Sequence, residues 1–141
     1  MVEVIVKGDF TVSADKLWDL VSDFGNVSWI QGVTKYELEG EGPGMFRVFY
    51  AGDGPPVRER LETVDDATKT ITYTIPEGIP FPVTGYRSTM RVSAEGDGSS
   101  IAWTCEFEPD GVTEEEAGKM VEGMYGAMIG WIDDHLSGKT A

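Results

Sequence analysis

Two ionisable residues stand where an alternating β-pattern reserves places for apolar ones. Over residues 45–51, period-two alternation groups Arg47 with Met45 and Phe49; over 56–65 it groups Glu59 with Val57 and Leu61. An ionised carboxylate on an apolar face loses its hydration unless something replaces it, and Arg47 is the cation available on the neighbouring strand. The pair has two readings. In the first, Glu59 is a general acid or base inside a cavity, where desolvation favours its neutral form and the guanidinium favours the carboxylate. Arg47 and the hydroxyl of Tyr86 then hold a substrate oxygen as negative charge develops on it. In the second, Arg47 and Glu59 form a structural ion pair that satisfies only itself.

These side chains need a sheet to carry them and an element to close it. Strand-like sequence runs over residues 2–12, 33–40, 45–51, 56–65, 69–76, 84–95 and 99–108. Turn chemistry fills the later breaks: Gly40 to Gly44, Gly52 to Pro56, Asp65 to Thr68, Pro76 to Pro82 and Gly96 to Gly98. The inward sets are Ile71, Tyr73 and Ile75, then Tyr86, Ser88, Met90 and Val92, then Ile101, Trp103, Cys105 and Phe107. After the first strand, Ser13 caps a short helix carrying Leu17, Trp18, Leu20 and Val21, and a second short helix is expected over Gly25 to Ile30.

The closing element is the stretch from Thr113 to Gly138. Ala117, Met120, Val121, Met124, Met128, Trp131 and Ile132 share one side of a helical wheel, opposite Glu115, Glu116, Lys119, Glu122, Asp133 and Asp134. Thr113 and Glu116 have the spacing of a reciprocal capping box, Val112 and Ala117 that of a hydrophobic staple, and Gly138 supplies the stop. Such a helix is roughly 36 Å long and needs a partner surface as long as a small domain. The predicted architecture is a single α+β domain over residues 1–141 with a helix-grip fold. A seven-stranded curved antiparallel sheet wraps around the long C-terminal helix, with two short helices after strand one and an internal cavity. Trp29, Phe49, Tyr73, Met90, Trp103, Met120, Met124 and Met128 are the expected cavity walls. Each could equally be ordinary core packing; together they favour an apolar or aromatic ligand.

Charge narrows the partners. With 25 acidic against 11 basic residues the formal charge is −14, which repels phosphate backbones and anionic lipid, so neither nucleic acid nor a membrane surface is expected. No apolar run approaches a bilayer span, and strand-like sequence starts at Val2 with no basic-then-apolar leader, so a cytoplasmic protein is expected. Cys105 stands alone and excludes an internal disulfide. His135 is the single histidine, and Asp133 and Asp134 beside it would point in different directions from a helix; no metal and no cofactor are expected. Gly40-x-Gly42-x-Gly44 lies between strands, opens no helix and puts Glu41 where an anion would approach, so it is not read as a nucleotide site. Gly123, Gly126 and Gly130 make a smooth stripe on the polar side of the long helix, each about 1 kcal/mol less favourable there than alanine. Monomer and homodimer both remain open.

Several segments carry a resemblance. Leu17-Trp18-Asp19-Leu20-Val21-Ser22-Asp23-Phe24-Gly25-Asn26, Glu59-Arg60-Leu61 with Asp65-Asp66 after it, and Gly85-Tyr86-Arg87-Ser88-Thr89 resemble the START-related, polyketide cyclase/dehydrase-like superfamily (SRPBCC). Within it they look most like plant lachrymatory-factor synthases and abscisic-acid receptors. The resemblance implies a helix-grip fold whose loops, here Gly52 to Pro56 and Pro76 to Pro82, surround a cavity entrance. It also implies catalytic roles for Arg47, Glu59 and Tyr86, which align with an arginine, a glutamate and a tyrosine that serve a proton-shuttling rearrangement in those synthases. The stretch between Arg47 and Glu59 is shorter here, so the resemblance does not require the same substrate. Asn26 to Ile30 lacks the lysine that pairs with the hormone carboxylate in the receptors. The expected function is binding of a small apolar or polyketide-like metabolite, with proton-transfer chemistry such as cyclisation, dehydration or isomerisation. The alternatives are a non-catalytic carrier or sensor and, behind it, a subunit acting through a protein partner.

Overall fold

The computed structural model describes residues 1–138. Seven strands, β1 (Val2–Phe10), β2 (Val33–Glu39), β3 (Phe46–Ala51), β4 (Val57–Asp65), β5 (Thr70–Glu77), β6 (Val83–Glu95) and β7 (Gly98–Pro109), form one antiparallel sheet in the order β1-β7-β6-β5-β4-β3-β2. Helix α1 (Ala14–Ser22) lies between β1 and β2, and α2 (Glu114–Leu136) follows β7. This is the helix-grip arrangement. From β2 onward each strand pairs with the next, and β1 returns to pair with β7.

Alternation sorts the faces as the sequence pattern requires. Ile71, Tyr73, Ile75, Tyr86, Ser88, Met90, Val92, Ile101, Trp103, Cys105 and Phe107 are all buried. Four register slips interrupt the ladders among the described residues, and two of them flank residues of interest. Arg58 faces Glu77 but Arg60 faces Thr74, so Ile75 and Pro76 together stand opposite Glu59. Pro76 has no N–H to offer the ladder, which suits it to a bulge. Likewise Thr84 faces Glu108 and Arg87 faces Glu106, leaving Gly85 and Tyr86 opposite Phe107; Gly85 takes a φ of 65°, which a glycine adopts without steric cost. Bulges bend a strand and re-aim its side chains, so Glu59 and Tyr86 both sit where the sheet curls.

Ser13 caps α1, its side chain accepting from Lys16 N, and Trp18 Nε1 donates to Asp66 Oδ1 at 2.9 Å, tying the helix to the β4–β5 turn. The second short helix expected over Gly25 to Ile30 does not form. The segment runs through turns, because the Asn26 side chain accepts from both the backbone N–H and the hydroxyl of Ser28 at 3.0 and 2.5 Å. An asparagine that caps the chain two residues on offers the backbone an alternative to helix. In α2, Thr113 accepts from Glu116 N as expected, but the return bond differs: the Glu116 carboxylate accepts from the Thr113 hydroxyl, not from its backbone N–H.

Helix α2 packs mainly on β1 and β7. Its buried residues are Ala117, Gly118, Val121, Tyr125 and Ile132. Because it lies over one side of the sheet, the concave face of β3, β4 and β5 is left to be closed by the far edge of the helix and by loops.

Candidate functional site

The space left over β3–β5 is a cavity of about 170 Å³. Phe49, Ala51, Val57, Tyr73 and Ile75 form its sheet wall; Met124, Tyr125, Met128 and Trp131 of α2 form its roof. Ile30, Gln31, Pro80 and Phe81 close it from two loops. Its surface is almost wholly apolar, with Arg47, Glu59 and Tyr86 set into it.

Arg47 and Glu59 are directly paired across the β3–β4 ladder and are 4% and 5% exposed. Arg47 Nε donates to Glu59 Oε1 at 2.6 Å and Nη1 donates to the carbonyl of Phe24 at 3.2 Å. The guanidinium also lies 4.0 Å from the Phe24 ring centroid and 5.6 Å from that of Tyr73. Among the described residues, Glu59 Oε2 and Arg47 Nη2 have no hydrogen-bond partner. Among the described residues, no side-chain polar atom sealed from the surface is left unpartnered, so these two free atoms open onto the cavity that both residues line. Alternation with Val57 and Leu61 along β4 places Glu59 there.

A second polar group meets the cavity beside them. Trp103 Nε1 donates to Ser88 Oγ at 2.8 Å, Ser88 Oγ lies 2.8 Å from the Tyr125 hydroxyl, and the Tyr125 and Tyr86 hydroxyls are hydrogen-bonded to each other. Trp103 stacks on Tyr125 with ring centroids 4.6 Å apart. Tyr73, the cross-strand partner of Ser88, stands between this group and the ion pair. Burial pushes the phenols of Tyr73, Tyr86 and Tyr125 above their ordinary value, and the Glu59 carboxylate raises Tyr73 further. These phenols are therefore protonated donors throughout the physiological range. Burial likewise raises the Cys105 thiol, which keeps it out of thiolate chemistry.

Of the residues singled out from sequence, the structure brings Arg47, Glu59, Tyr86, Phe49, Tyr73, Met124 and Met128 together around one cavity. Four others fall elsewhere. Trp29, Met90 and Trp103 are buried in the core, with Trp29 edge-on to Trp103 at 6.4 Å, because they lie on the part of the inner face already filled by α1, α2 and the turn before β2. Met120 is 49% exposed: it sits roughly 100° around α2 from the centre of the buried stripe. Tyr125, Trp131 and Phe81 are the principal wall residues not assigned to the site from sequence. Tyr125 had a signal, since Ala117, Val121 and Tyr125 follow at four-residue steps on the face that is buried. Among the described residues, no cluster of His, Cys, Asp and Glu side chains is arranged to hold a metal ion, and no helix is long and apolar enough to cross a membrane.

A curved antiparallel sheet gripping one long helix, with a cavity between them, defines a helix-grip ligand-binding domain. The chain belongs to the family described as polyketide cyclase / dehydrase and lipid transport, whose profile matches residues 1–135. Among solved structures it is similar to an uncharacterised protein of Bacillus thuringiensis, at 29% identity and a TM-score of 0.84, covering 94% of this chain and 97% of that one. It is also similar to the protein XoxI of Bacillus cereus, at 28% identity and a TM-score of 0.84, over 96% and 95% of the two chains. Norcoclaurine synthase of Thalictrum flavum, solved with dopamine and hydroxybenzaldehyde, shares the fold at 23% identity and a TM-score of 0.74, over 99% of this chain and 88% of that one. No curated protein sequence matches.

Proposed function

We propose that this domain binds a small apolar or aromatic metabolite in the β3–β5 cavity and catalyses proton transfer on it, as in a cyclisation, dehydration or isomerisation. The observation that carries this reading is the free oxygen of Glu59: a buried carboxylate with one oxygen committed to Arg47 and the other facing an apolar cavity. A carboxylate so placed is within reach of a substrate proton and screened from bulk water. In this reading Glu59 moves the proton, Arg47 holds it in position and attracts developing negative charge, and Tyr86 donates a hydrogen bond to a substrate oxygen. The volume argues for a ligand of about one ring, since a dry cavity of about 150 Å³ is known to take benzene. The dopamine and hydroxybenzaldehyde held by the norcoclaurine synthase are single-ring molecules of that class.

A specific observation favours the carrier or sensor reading as the second choice: Arg47 and Glu59 already satisfy each other at 2.6 Å, so the pair can orient a ligand without reacting with it. One experiment separates the two. Wild-type protein and Glu59→Gln are incubated with a metabolite extract of the source organism, and bound and free molecules are followed by mass spectrometry. Consumption of a compound by the wild type and its retention unchanged by the variant supports catalysis. Retention of the same unchanged compound by both proteins refutes catalysis and leaves the carrier.

A further inference from the structure

The hydroxyl group of Tyr86 is the end of a hydrogen-bond chain whose direction is fixed at its other end. Trp103 Nε1 can only donate, so Ser88 Oγ must accept from it. The single hydrogen of Ser88 then has two acceptors within reach: the Tyr125 hydroxyl at 2.8 Å and the carbonyl of Thr104 at 3.4 Å. An O–H···O bond is strongest near about 2.8 Å, so the hydrogen goes to Tyr125. Having accepted from Ser88, Tyr125 has its own hydrogen to give to Tyr86, the hydroxyl it is bonded to. Tyr86, having accepted, has its own hydrogen left for the neighbouring Tyr73 hydroxyl or for a ligand, and all three tyrosines line the cavity. Tyr73 adds to this. It is 1% exposed, it lines the same cavity, and its hydroxyl lies within hydrogen-bonding reach of Ser88 and Tyr86.

We infer that Trp103, Ser88 and Tyr125 act as positioning residues that aim the Tyr86 hydroxyl hydrogen at the ligand, so that the cavity selects compact molecules carrying a hydrogen-bond acceptor such as a ketone or aldehyde oxygen. Tyr73 joins the same hydroxyl group beside it. Each link polarises the next, which strengthens the last donor over an isolated phenol. Burial keeps all three phenols protonated, so the donors persist across the pH range in which the protein is folded. The inference rests on the cavity being the ligand site, as proposed above, but not on any reaction there.

The test uses acetophenone and ethylbenzene, probes of matched shape that differ in the carbonyl oxygen. Binding of each is measured by NMR titration, and the carbonyl stretch of bound acetophenone by infrared difference spectroscopy. The expected result is that wild type binds acetophenone about tenfold more tightly than ethylbenzene, the size of one well-made hydrogen bond, with the stretch shifted to lower frequency. Tyr125→Phe and Ser88→Ala are each expected to reduce that preference several-fold and to shrink the spectral shift, and Ser88→Ala, which lies outside the cavity wall, to leave ethylbenzene binding unchanged. Constant ethylbenzene affinity reports an intact cavity, and either variant suffices if the other fails to fold. Equal affinities for the two probes in wild type overturn the inference while leaving the cavity a ligand site. A preference and a shift that survive both substitutions overturn the positioning role. Failure of wild type to bind either probe overturns the inference together with the ligand reading it rests on.

Discussion

Removing Arg47 alone and removing the whole ion pair are expected to have opposite consequences for stability. Arg47→Met keeps an unbranched chain of similar length but takes away the only cation within reach of a glutamate that is 5% exposed. Breaking a buried pair from one side costs about 3–5 kcal/mol, because the remaining charge is left without compensation. The Phe24 carbonyl also loses its donor, and the Phe24 ring loses a cation 4.0 Å from its centroid. Against a total stability of about 5–15 kcal/mol this is a large fraction. With a urea m-value of about 2 kcal/mol per molar, the unfolding midpoint falls by roughly 2 M. In the double variant Arg47→Met, Glu59→Leu both charges go and the volume is kept, so stability returns to within about 1 kcal/mol of wild type or exceeds it. The assay is urea unfolding followed by far-UV circular dichroism, with the m-value checked for constancy. A drop below about 1 kcal/mol for Arg47→Met, or a double variant as unstable as the single, would refute the placement of a buried ion pair beside the cavity. The same double variant is expected to lose turnover of any substrate found, separating what the pair does for function from what it does for the fold.

Two further outcomes follow from other parts of the molecule. The phenols of Tyr73, Tyr86 and Tyr125 are raised above their unfolded value of about 10. Their stabilising contribution is therefore fully present below about pH 10 and is lost as pH rises through the folded values. These three of the five tyrosines are expected to develop tyrosinate absorbance only as circular dichroism is lost, and ionisation of all five in the folded protein would contradict it. Gly78 has a φ of 73°, and a Cβ there would sit 2.1 Å from the carbonyl oxygen of Pro56. Gly78→Ala is expected to cost about 1–3 kcal/mol in urea unfolding and to weaken probe binding by displacing Pro80 and Phe81; an effect under about 0.5 kcal/mol would show that the two loops are not locked together.

Period-two alternation made the sheet legible because each strand has one wet face, and that same rule put Arg47 and Glu59 on the inner side before any contact was known. It could not say which stretch of the inner face is core and which is cavity. That depends on where α2 crosses the sheet, a lateral offset that no single strand encodes. Trp103 and Met90 lie inward as expected, yet the α2 helix and its neighbours fill the space over them, whereas the same side of β3–β5 stays open. The buried stripe of α2 is narrower than its apolar pattern for a similar reason: seven apolar residues fit one side of a wheel, but contact with β1 and β7 selects an arc that omits Met120 and includes Tyr125. The turn at Asn26 was readable only after the fact, since an asparagine near a helix end serves equally as cap or breaker.

The placement of polar groups follows from the way the sheet is covered. Where α2 lies against the strands, close packing admits no charge, and the polar atoms there, Trp103 Nε1 and Ser88 Oγ, are used up within the protein. Where α2 moves away, a cavity opens, and a polar atom can remain without a protein partner provided a ligand or water reaches it. The bulges at Pro76 and Gly85 fall along this boundary, one opposite Glu59 and the other containing Tyr86. The donor chain therefore begins in the packed half and ends in the open half. A rigid core anchors its first member, and its last is left free for a guest. Such an arrangement places preorganised donors without asking the cavity wall itself to be polar. It reconciles an almost wholly apolar pocket with the capacity to distinguish one oxygen atom on the molecule that enters it.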